Sequence, residues 1–378
     1  PWFNLTGVDC CKNKLICELD LFFECFKNKS IAVTGTLGKT TITNLLDQVL
    51  NKVYQKSSCI GGNIGVPMLD LIEKQKNIDT AVLELSSFQL DLNKKFASDI
   101  AIWTNFYPNH LDWHKGIKEY FDAKSKVFEY QNKNQSLLVS ASFLKETLFL
   151  DKLKNIKSRI YFVAEKKEQY LIKDFLKLKK NFNNIFFVSD FDFDFNIVPD
   201  ITFKKNWVFI FKALDLLGLD LKFLKKYFED KNSLSLKNNL QDHRLEHFAT
   251  INNVDFYNDS KATVIQATFN AVQKLNQKNK PIILILGGTS KGVDRNSLIK
   301  DLNDLKNIKK IFFLSKNNNE FSGIKTYSSL QELLSAIMQI AKPGDQVLFS
   351  PSGASFDFFD NYKHRGEIFK KLVFDLAD

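Results

Sequence analysis

The chain has 378 residues, 44% of them hydrophobic and 25% charged, which excludes wholesale disorder and allows two or three domains with sizeable cores. The net charge of +10 comes from 49 lysines and four arginines spread along the chain, with no basic cluster interleaved with stacking aromatics, so it reads as a solvated lysine surface and not a nucleic-acid interface. No apolar run approaches the roughly 18–20 residues that span a bilayer, and the best, residues 207–219, is broken by Lys212 and Asp215.

Five cysteines (Cys10, Cys11, Cys17, Cys25, Cys59) form no CxxC pair, which points away from zinc or a disulfide framework and towards a reducing cytoplasm. No signal peptide opens the chain, and its start at Pro1 rather than Met suggests a missing natural N-terminus. In chain order, residues 30–34 form a short apolar run ending in glycine, and residues 40–50 carry helical apolar spacing: strand, loop, helix. Runs at 81–85 and 100–103 and a helical stretch at 117–130 continue the alternation, so a mostly parallel sheet flanked by helices is expected. Residues 131–200 are rich in Lys, Asn and Phe and give no clear period, except that 191–195 alternates Phe and Asp as a half-buried strand would. A metal ladder there is disfavoured, because the glycine and terminal glutamate of a calcium loop are missing. After about residue 240, runs near 256, 282–286, 311–314 and 347–350 alternate with helical stretches near 262–275, 328–341 and 357–376, which predicts a second, doubly wound α/β unit.

Scarce residues carry the information. Ten of the 15 glycines fall in four clusters, at 35–38, 61–65, 287–292 and 353–366, where a backbone need for positive φ or close approach is expected. Two of the four arginines follow histidine directly (His243-Arg244, His364-Arg365), and arginine kept against such a lysine preference suggests a planar, two-pronged role.

The sharpest motif is Gly35-Thr36-Leu37-Gly38-Lys39-Thr40-Thr41, between a strand and a helix. Such a loop points backbone N–H groups at phosphates, its lysine reaches the β/γ-phosphates and its first threonine binds Mg²⁺. The strict phosphate-loop pattern needs glycine at position 33, which is Val33 here, but the shortened GTxGKTT form resembles the ATP site of the Mur ligase family, which includes folylpolyglutamate synthetase. The segments Gly61-Gly62-Asn63-Ile64-Gly65, Leu83-Glu84-Leu85-Ser86-Ser87-Phe88-Gln89-Leu90, Asn109-His110-Leu111-Asp112, Asn258-Asp259-Ser260-Lys261-Ala262-Thr263, Gly287-Gly288 and Ser350-Pro351-Ser352-Gly353-Ala354-Ser355-Phe356-Asp357 resemble that family's D-glutamate-adding branch, in order along nearly the whole chain. The Asp-Asn-Pro-Arg string of the diaminopimelate- or lysine-adding branch is absent.

The resemblance implies a central ATP-binding domain over 28–240, a Rossmann-like amino-acid-binding domain over 241–378, and a remnant of an N-terminal UDP-binding domain over 1–27, since only 34 residues precede Gly35. It implies a ligase that activates UDP-N-acetylmuramoyl-L-alanine with ATP as an acyl phosphate and joins it to D-glutamate, acting in the cytoplasm as a monomer. The cofactor set it implies is ATP with Mg²⁺ at two sites, Mn²⁺ being able to substitute. Metal ligation falls to Thr40, Glu84, His110 and a carbamylated Lys124. Catalysis falls to Lys39, His110, Lys124 and Arg244. Nucleotide contacts are implied for residues 35–41, Asn206, Arg244, Asp259 and Lys261, with Arg244 reaching the phosphates when the domains close. Asn63, Ser86, Gln89 and His110 would hold the UDP substrate; Thr263, Lys291, Ser355, Phe356 and Tyr362 would hold D-glutamate.

Taken alone, Glu84 reads as a surface carboxylate, His110 as a structural histidine, and Lys124 as one solvated lysine among 49. The adenine segment departs from the family: Phe203-Lys204-Lys205-Asn206-Trp207-Val208-Phe209 keeps only Asn206, which implies an altered adenine contact. Two rivals stand beside the main reading: another member of the superfamily, such as a folylpolyglutamate synthetase, or a degenerate ATP-binding protein without catalysis.

Overall fold

A computed structural model of the chain describes residues 16–178, 184–189, 198, 199, 201–230, 236, 242–316 and 321–376. The alternating segment 191–195, and Cys10 and Cys11, lie outside the described residues. The chain divides into two compact units, one of Pro1–Pro108 with Trp113–Asn238, the other of Asn109–Asp112 with Asn239–Asp378.

The first unit contains α1 (Glu18–Cys25), β1 (Lys29–Thr34), α2 (Lys39–Gln48), β2 (Ser58–Gly62), α3 (Met68–Glu73), β3 (Thr80–Glu84), α4 (Ser87–Asp91), β4 (Ile100–Trp103) and α5 (Ile117–Glu129). It continues with β5 (Ser136–Ser140), α6 (Thr147–Leu153), β6 (Arg159–Ala164), α7 (Gln169–Leu178), β7 (Ile185–Ser189), α8 (Lys204–Leu216) and α9 (Leu221–Glu229). Its seven strands are all parallel, in the order β2-β3-β1-β4-β5-β6-β7. Strands buried on both faces need not alternate, and β1, β3, β4 and β5 read as near-continuous apolar runs for that reason. One face is a phenylalanine-rich core in which Phe106, Phe121, Phe128, Phe143 and Phe149 surround the Trp103 ring at 4.7–6.4 Å between centroids. Leu19, Phe22 and Phe26, in and just after α1, are buried in the same core. The interrupted run at 207–219 is accounted for by α8, whose Trp207 to Phe211 are buried.

The second unit contains β8 (Glu246–Ile251), β9 (Val254–Asn258), α10 (Ile265–Asn276), β10 (Ile282–Gly287), α11 (Asn296–Asn303), β11 (Ile308–Leu314), β12 (Lys325–Tyr327), α12 (Leu330–Ile340), β13 (Gln346–Phe349) and α13 (Tyr362–Phe374). The strand order is β12-β11-β10-β13-β9-β8, parallel except for the antiparallel β8–β9 pair. Ile283 and Ile285 enter one core and Ile282, Leu284 and Leu286 the other, so helices cover both faces. The doubly wound α/β architecture expected from the periodicity is present, enlarged by β8 and β12 at the edges.

The chain leaves β10 outward to β11 and β12 and returns to β13 on its other side, which opens a crevice at the carboxyl ends of the strands. Two buried arginines hold the loops there. Arg295 donates from Nη1 to the Gly287 carbonyl at 2.8 Å and from Nη2 to that of Gly288 at 2.9 Å, stacked against Phe313 and Phe321. Arg365 donates to the Gly353 carbonyl at 3.0 Å and to the Ser260 carbonyl and hydroxyl at 2.6 and 2.9 Å. The two-pronged role expected of arginine is filled at Arg365 by backbone carbonyls rather than by an anion. Replacing Arg295 by Met leaves buried carbonyls without that donor, at a cost of about 3 kcal/mol. Urea unfolding of the second unit should show the loss, with Arg295→Lys recovering only part because an ammonium cannot fork.

Candidate functional site

In the first unit the site is built at the carboxyl ends of β1, β3 and β4. Strand β1 runs straight into Gly35, whose φ of +140° suits glycine, and a Cβ there would lie 2.0 Å from Thr104 Oγ1. Gly38, at φ +84°, caps α2, so the first N–H groups of that helix open onto the loop. Lys39 folds back, donating to the carbonyls of Gly35 at 3.0 Å and Thr36 at 3.2 Å. The Thr36 hydroxyl bonds the Tyr107 carbonyl at 3.1 Å and lies 3.2 Å from the Tyr120 hydroxyl, while Thr40 and Thr41 follow in the first turn of α2. Asn206, from α8, faces the loop: a Cβ on Gly38 would meet its Oδ1 at 3.3 Å.

Parallel register puts Glu84 opposite Val33, next to the loop. It is 2% exposed and so is no surface carboxylate. Its Oε1 accepts from Asn63 Nδ2 at 2.8 Å, while its Oε2 is buried with no hydrogen-bond partner. A buried carboxylate oxygen without a donor is expensive unless a cation takes it. The unpartnered oxygen of Glu84 therefore fits a hard divalent ion. Among the described residues no three His, Cys, Asp or Glu side chains gather into a group that could hold a metal ion.

Lys124 is 2% exposed, not solvated. Helix α5 buries it beneath the loop, where Nζ donates to the Gly35 carbonyl at 3.0 Å and to Thr34 Oγ1 at 3.4 Å and lies 5.0 Å from the centre of the Tyr120 ring. Burial, reinforced by Lys39 and opposed by Glu84, pushes its ammonium well below the usual lysine range. Ser86 and Gln89 form a capping box at the start of α4, Gln89 Oε1 accepting from the Ser86 N–H at 3.0 Å and its hydroxyl at 2.9 Å. His110 belongs to the short segment that groups with the second unit, with φ at +56°.

In the second unit, Asp259 directly follows β9 and is buried. It accepts from the Ser350 hydroxyl at 2.6 Å and the Leu245 N–H at 3.0 Å. Burial pushes its carboxyl up to about 7, against those two bonds and the nearby Arg244 and Arg365. Lys261 lies 4.9 Å above the Tyr362 ring, and Tyr362 opens α13. Lys291, at φ +53°, is held below the usual lysine range chiefly by burial. Thr263 is half-buried. Ser355 is buried while its neighbour Phe356 is 76% exposed, so of the two only Ser355 faces the interior of this loop. Three residues with evident positional roles escaped the sequence reading: Thr104 and Asn105 beneath the phosphate loop, and Arg295. A polar pair closing an apolar strand at the same sheet edge as Gly35 was the available signal for the first two.

The Asp259 shift has a sign. Its folded value lies above an unfolded value near 4, so its contribution to stability is full below about pH 4 and is lost as pH rises through about 7. Urea midpoints of the second unit should fall over that window, and Asp259→Asn should flatten the fall; an unchanged slope would contradict the assignment.

The chain matches the family descriptions "Mur ligase middle domain" over residues 33–200 and "Mur ligase, glutamate ligase domain" over residues 243–353. It is 33% identical over 354 residues to the UDP-N-acetylmuramoylalanine–D-glutamate ligase of Thermosipho africanus, covering 92% of this chain and 74% of that protein. It is 31% identical to the ligase of the same name from Borreliella afzelii, covering 94% of this chain and 77% of the relative. Among solved structures, MurF of Thermotoga maritima in complex with ADP superposes with a TM-score of 0.62 at 15% identity, covering 98% of this chain and 85% of that one. E. coli FolC in complex with DHPP and ADP gives 0.60 at 12% identity, covering 95% and 92%; at such identities the likeness concerns the fold. With both family domains matched in order and relatives above 30% identity spanned for three quarters of their length, the chain belongs to the Mur ligase family.

Proposed function

We propose that the protein joins D-glutamate to UDP-N-acetylmuramoyl-L-alanine at the expense of ATP, a step in peptidoglycan precursor synthesis. The observation that carries the chemistry is the gathering of Lys39, Lys124 and the unpartnered Glu84 Oε2 at one phosphate-type loop. The relatives' shared name carries the substrates. The intact Lys39, Thr40 and Glu84 weigh against a degenerate, non-catalytic relative.

In this reading residues 28–240 bind ATP and residues 241–378 bind the amino acid. The phosphate loop and Lys39 hold the β- and γ-phosphates in line with the alanyl carboxylate. A carboxylate oxygen attacks the γ-phosphorus, the bond to the β-bridging oxygen breaks, and ADP leaves with that electron pair. The D-glutamate amine then attacks the acyl carbon, loses a proton, and expels phosphate from the tetrahedral intermediate to leave the amide. Thr40 and Glu84 would hold Mg²⁺, which supplies charge neutralisation on the phosphates when bound; His110 and a carbamylated Lys124 are the residues proposed for a second ion. A lysine whose ammonium is disfavoured by burial suits that modification: the free amine's Nζ donates its lone pair to the carbon of CO₂ and releases a proton, leaving a carboxylate-like anion. Lys261 and Asp259 belong to nucleotide recognition, and Lys291, Ser355, Thr263 and Tyr362 to the D-glutamate carboxylates. A cytoplasmic place belongs to the same proposal; among the described residues no helix is long and apolar enough to cross a membrane.

The deciding experiment measures phosphate release from ATP with UDP-N-acetylmuramoyl-L-alanine and D-glutamate, each omitted in turn, with L-glutamate and folate as substitutes. Release requiring both substrates and the D-isomer is expected; stimulation by folate instead would overturn the reading. Lys39→Ala should lower turnover on the order of 10²–10³-fold, as for other electrostatic groups at a transferring phosphoryl. Lys124→Ala should be inactive and regain activity with short carboxylic acids, and labelled bicarbonate should show a carbamate signal in the wild type alone.

A further inference from the structure

The Leu37 carbonyl lies in the middle of the phosphate loop, yet two donors from the end of β4 hold it. Thr104 Oγ1 donates to it at 2.6 Å and Asn105 Nδ2 at 3.0 Å. The Asn105 Oδ1 in turn accepts from the N–H groups of Leu37 at 2.8 Å and Thr36 at 3.2 Å. The pair is itself anchored to β1, since the Thr104 N–H donates to the Thr34 carbonyl at 3.0 Å, and Thr104 is 3% exposed.

A trans peptide is planar, with its C=O and the following N–H on opposite sides, and none of the described peptide bonds is cis. Fixing the Leu37 carbonyl against β4 therefore turns the Gly38 N–H away from β4. Gly38 then adopts φ +84° and starts α2, whose first N–H groups continue the same run. Were that peptide to flip, a carbonyl oxygen would replace an N–H among these donors and would repel an anion instead of binding it.

We propose that Thr104 and Asn105 are positioning residues of the nucleotide site. By holding the Leu37 carbonyl outward they aim the Gly38 N–H at the phosphate chain, and so set the preference for nucleoside di- and triphosphates over monophosphates. Neither side chain need touch the nucleotide. The inference rests on the reading of this loop as the ATP site.

The test is displacement calorimetry of the full chain with ADP and with AMP, each with Mg²⁺. Thr104→Val keeps shape and removes the hydroxyl donor; Thr104→Ser restores the donor without the methyl; Asn105→Ala removes the carboxamide. ADP should bind about tenfold more weakly to Thr104→Val and to Asn105→Ala, with AMP changed by less than about twofold and Thr104→Ser close to wild type. A merely structural role would weaken both nucleotides alike and leave their ratio unmoved. An unchanged ADP-to-AMP ratio in both variants overturns the proposal. Should Thr104→Val fail to fold, Asn105→Ala with its ratio decides. A wild-type chain that binds ADP no better than AMP overturns the positioning role while leaving nucleotide binding standing, and one that binds neither overturns both.

Discussion

The phosphate loop can lie on the end of β4 only because position 35 carries no side chain. A Cβ there would fall 2.0 Å from the Thr104 hydroxyl, a separation no packing adjustment absorbs. That close approach brings the loop backbone within reach of Thr104 and Asn105, puts the Gly35 carbonyl where both Lys39 and Lys124 donate to it, and leaves Glu84 alongside through the β1–β3 register. Lengthening any one of these contacts would displace the others, since they share a single short stretch of backbone.

The second unit solves a related problem with different parts. Its loops after β9, β10 and β13 must meet at one edge, and glycine again permits it: a Cβ on Gly353 would lie 2.5 Å from the Gly287 carbonyl. What fixes the meeting is a pair of buried guanidinium groups donating to backbone carbonyls. Burial costs Arg365 part of its basicity, which falls to about 10, yet it stays ionised at neutral pH. A lysine in the same surroundings has a lower starting value and no planar fork, so it could not reproduce this geometry. This is a physical reason for arginine to persist in a chain that otherwise uses lysine.

Fold class and much of the site were legible in the sequence because both are written in short, local patterns: apolar runs of strand length, helical spacing, and glycines clustered at strand ends. The strands β5, β6 and β7 escaped notice because their apolar runs are set among lysine and asparagine and lack punctuation, although the β6 residues Ile160–Ala164 are all buried. The burial of Lys124 was invisible for another reason. Which face of α5 meets the loop is decided by packing across the sheet, between residues some ninety positions apart. The partnership of Asn105 with Leu37 is equally non-local, spanning 68 positions. Ser86 and Gln89 show the converse, since their pattern is that of a local capping box and the structure shows that box formed. At Phe356 the motif alone could not say which way a loop side chain turns.

The two lysines at the loop define its electrostatics. Each donates to the Gly35 carbonyl at 3.0 Å, so their nitrogens can be no further apart than twice that distance. Two ammonium groups so close, one of them buried, repel strongly where little water screens them. Burial and Lys39 both disfavour the Lys124 ammonium, and Glu84 does not offset the cost. Loss of that proton would remove the repulsion and leave a buried amine beside the Gly35 carbonyl. Conversion of that amine to a carbamate would reverse the sign of the pair, placing an anion next to Lys39 and a second acceptor beside Glu84, two oxygen-bearing groups of the type a hard cation selects. The same burial that makes Lys124 a poor ammonium is thus what would make it a good nucleophile towards CO₂, and the charge it would gain is the charge this end of the loop lacks.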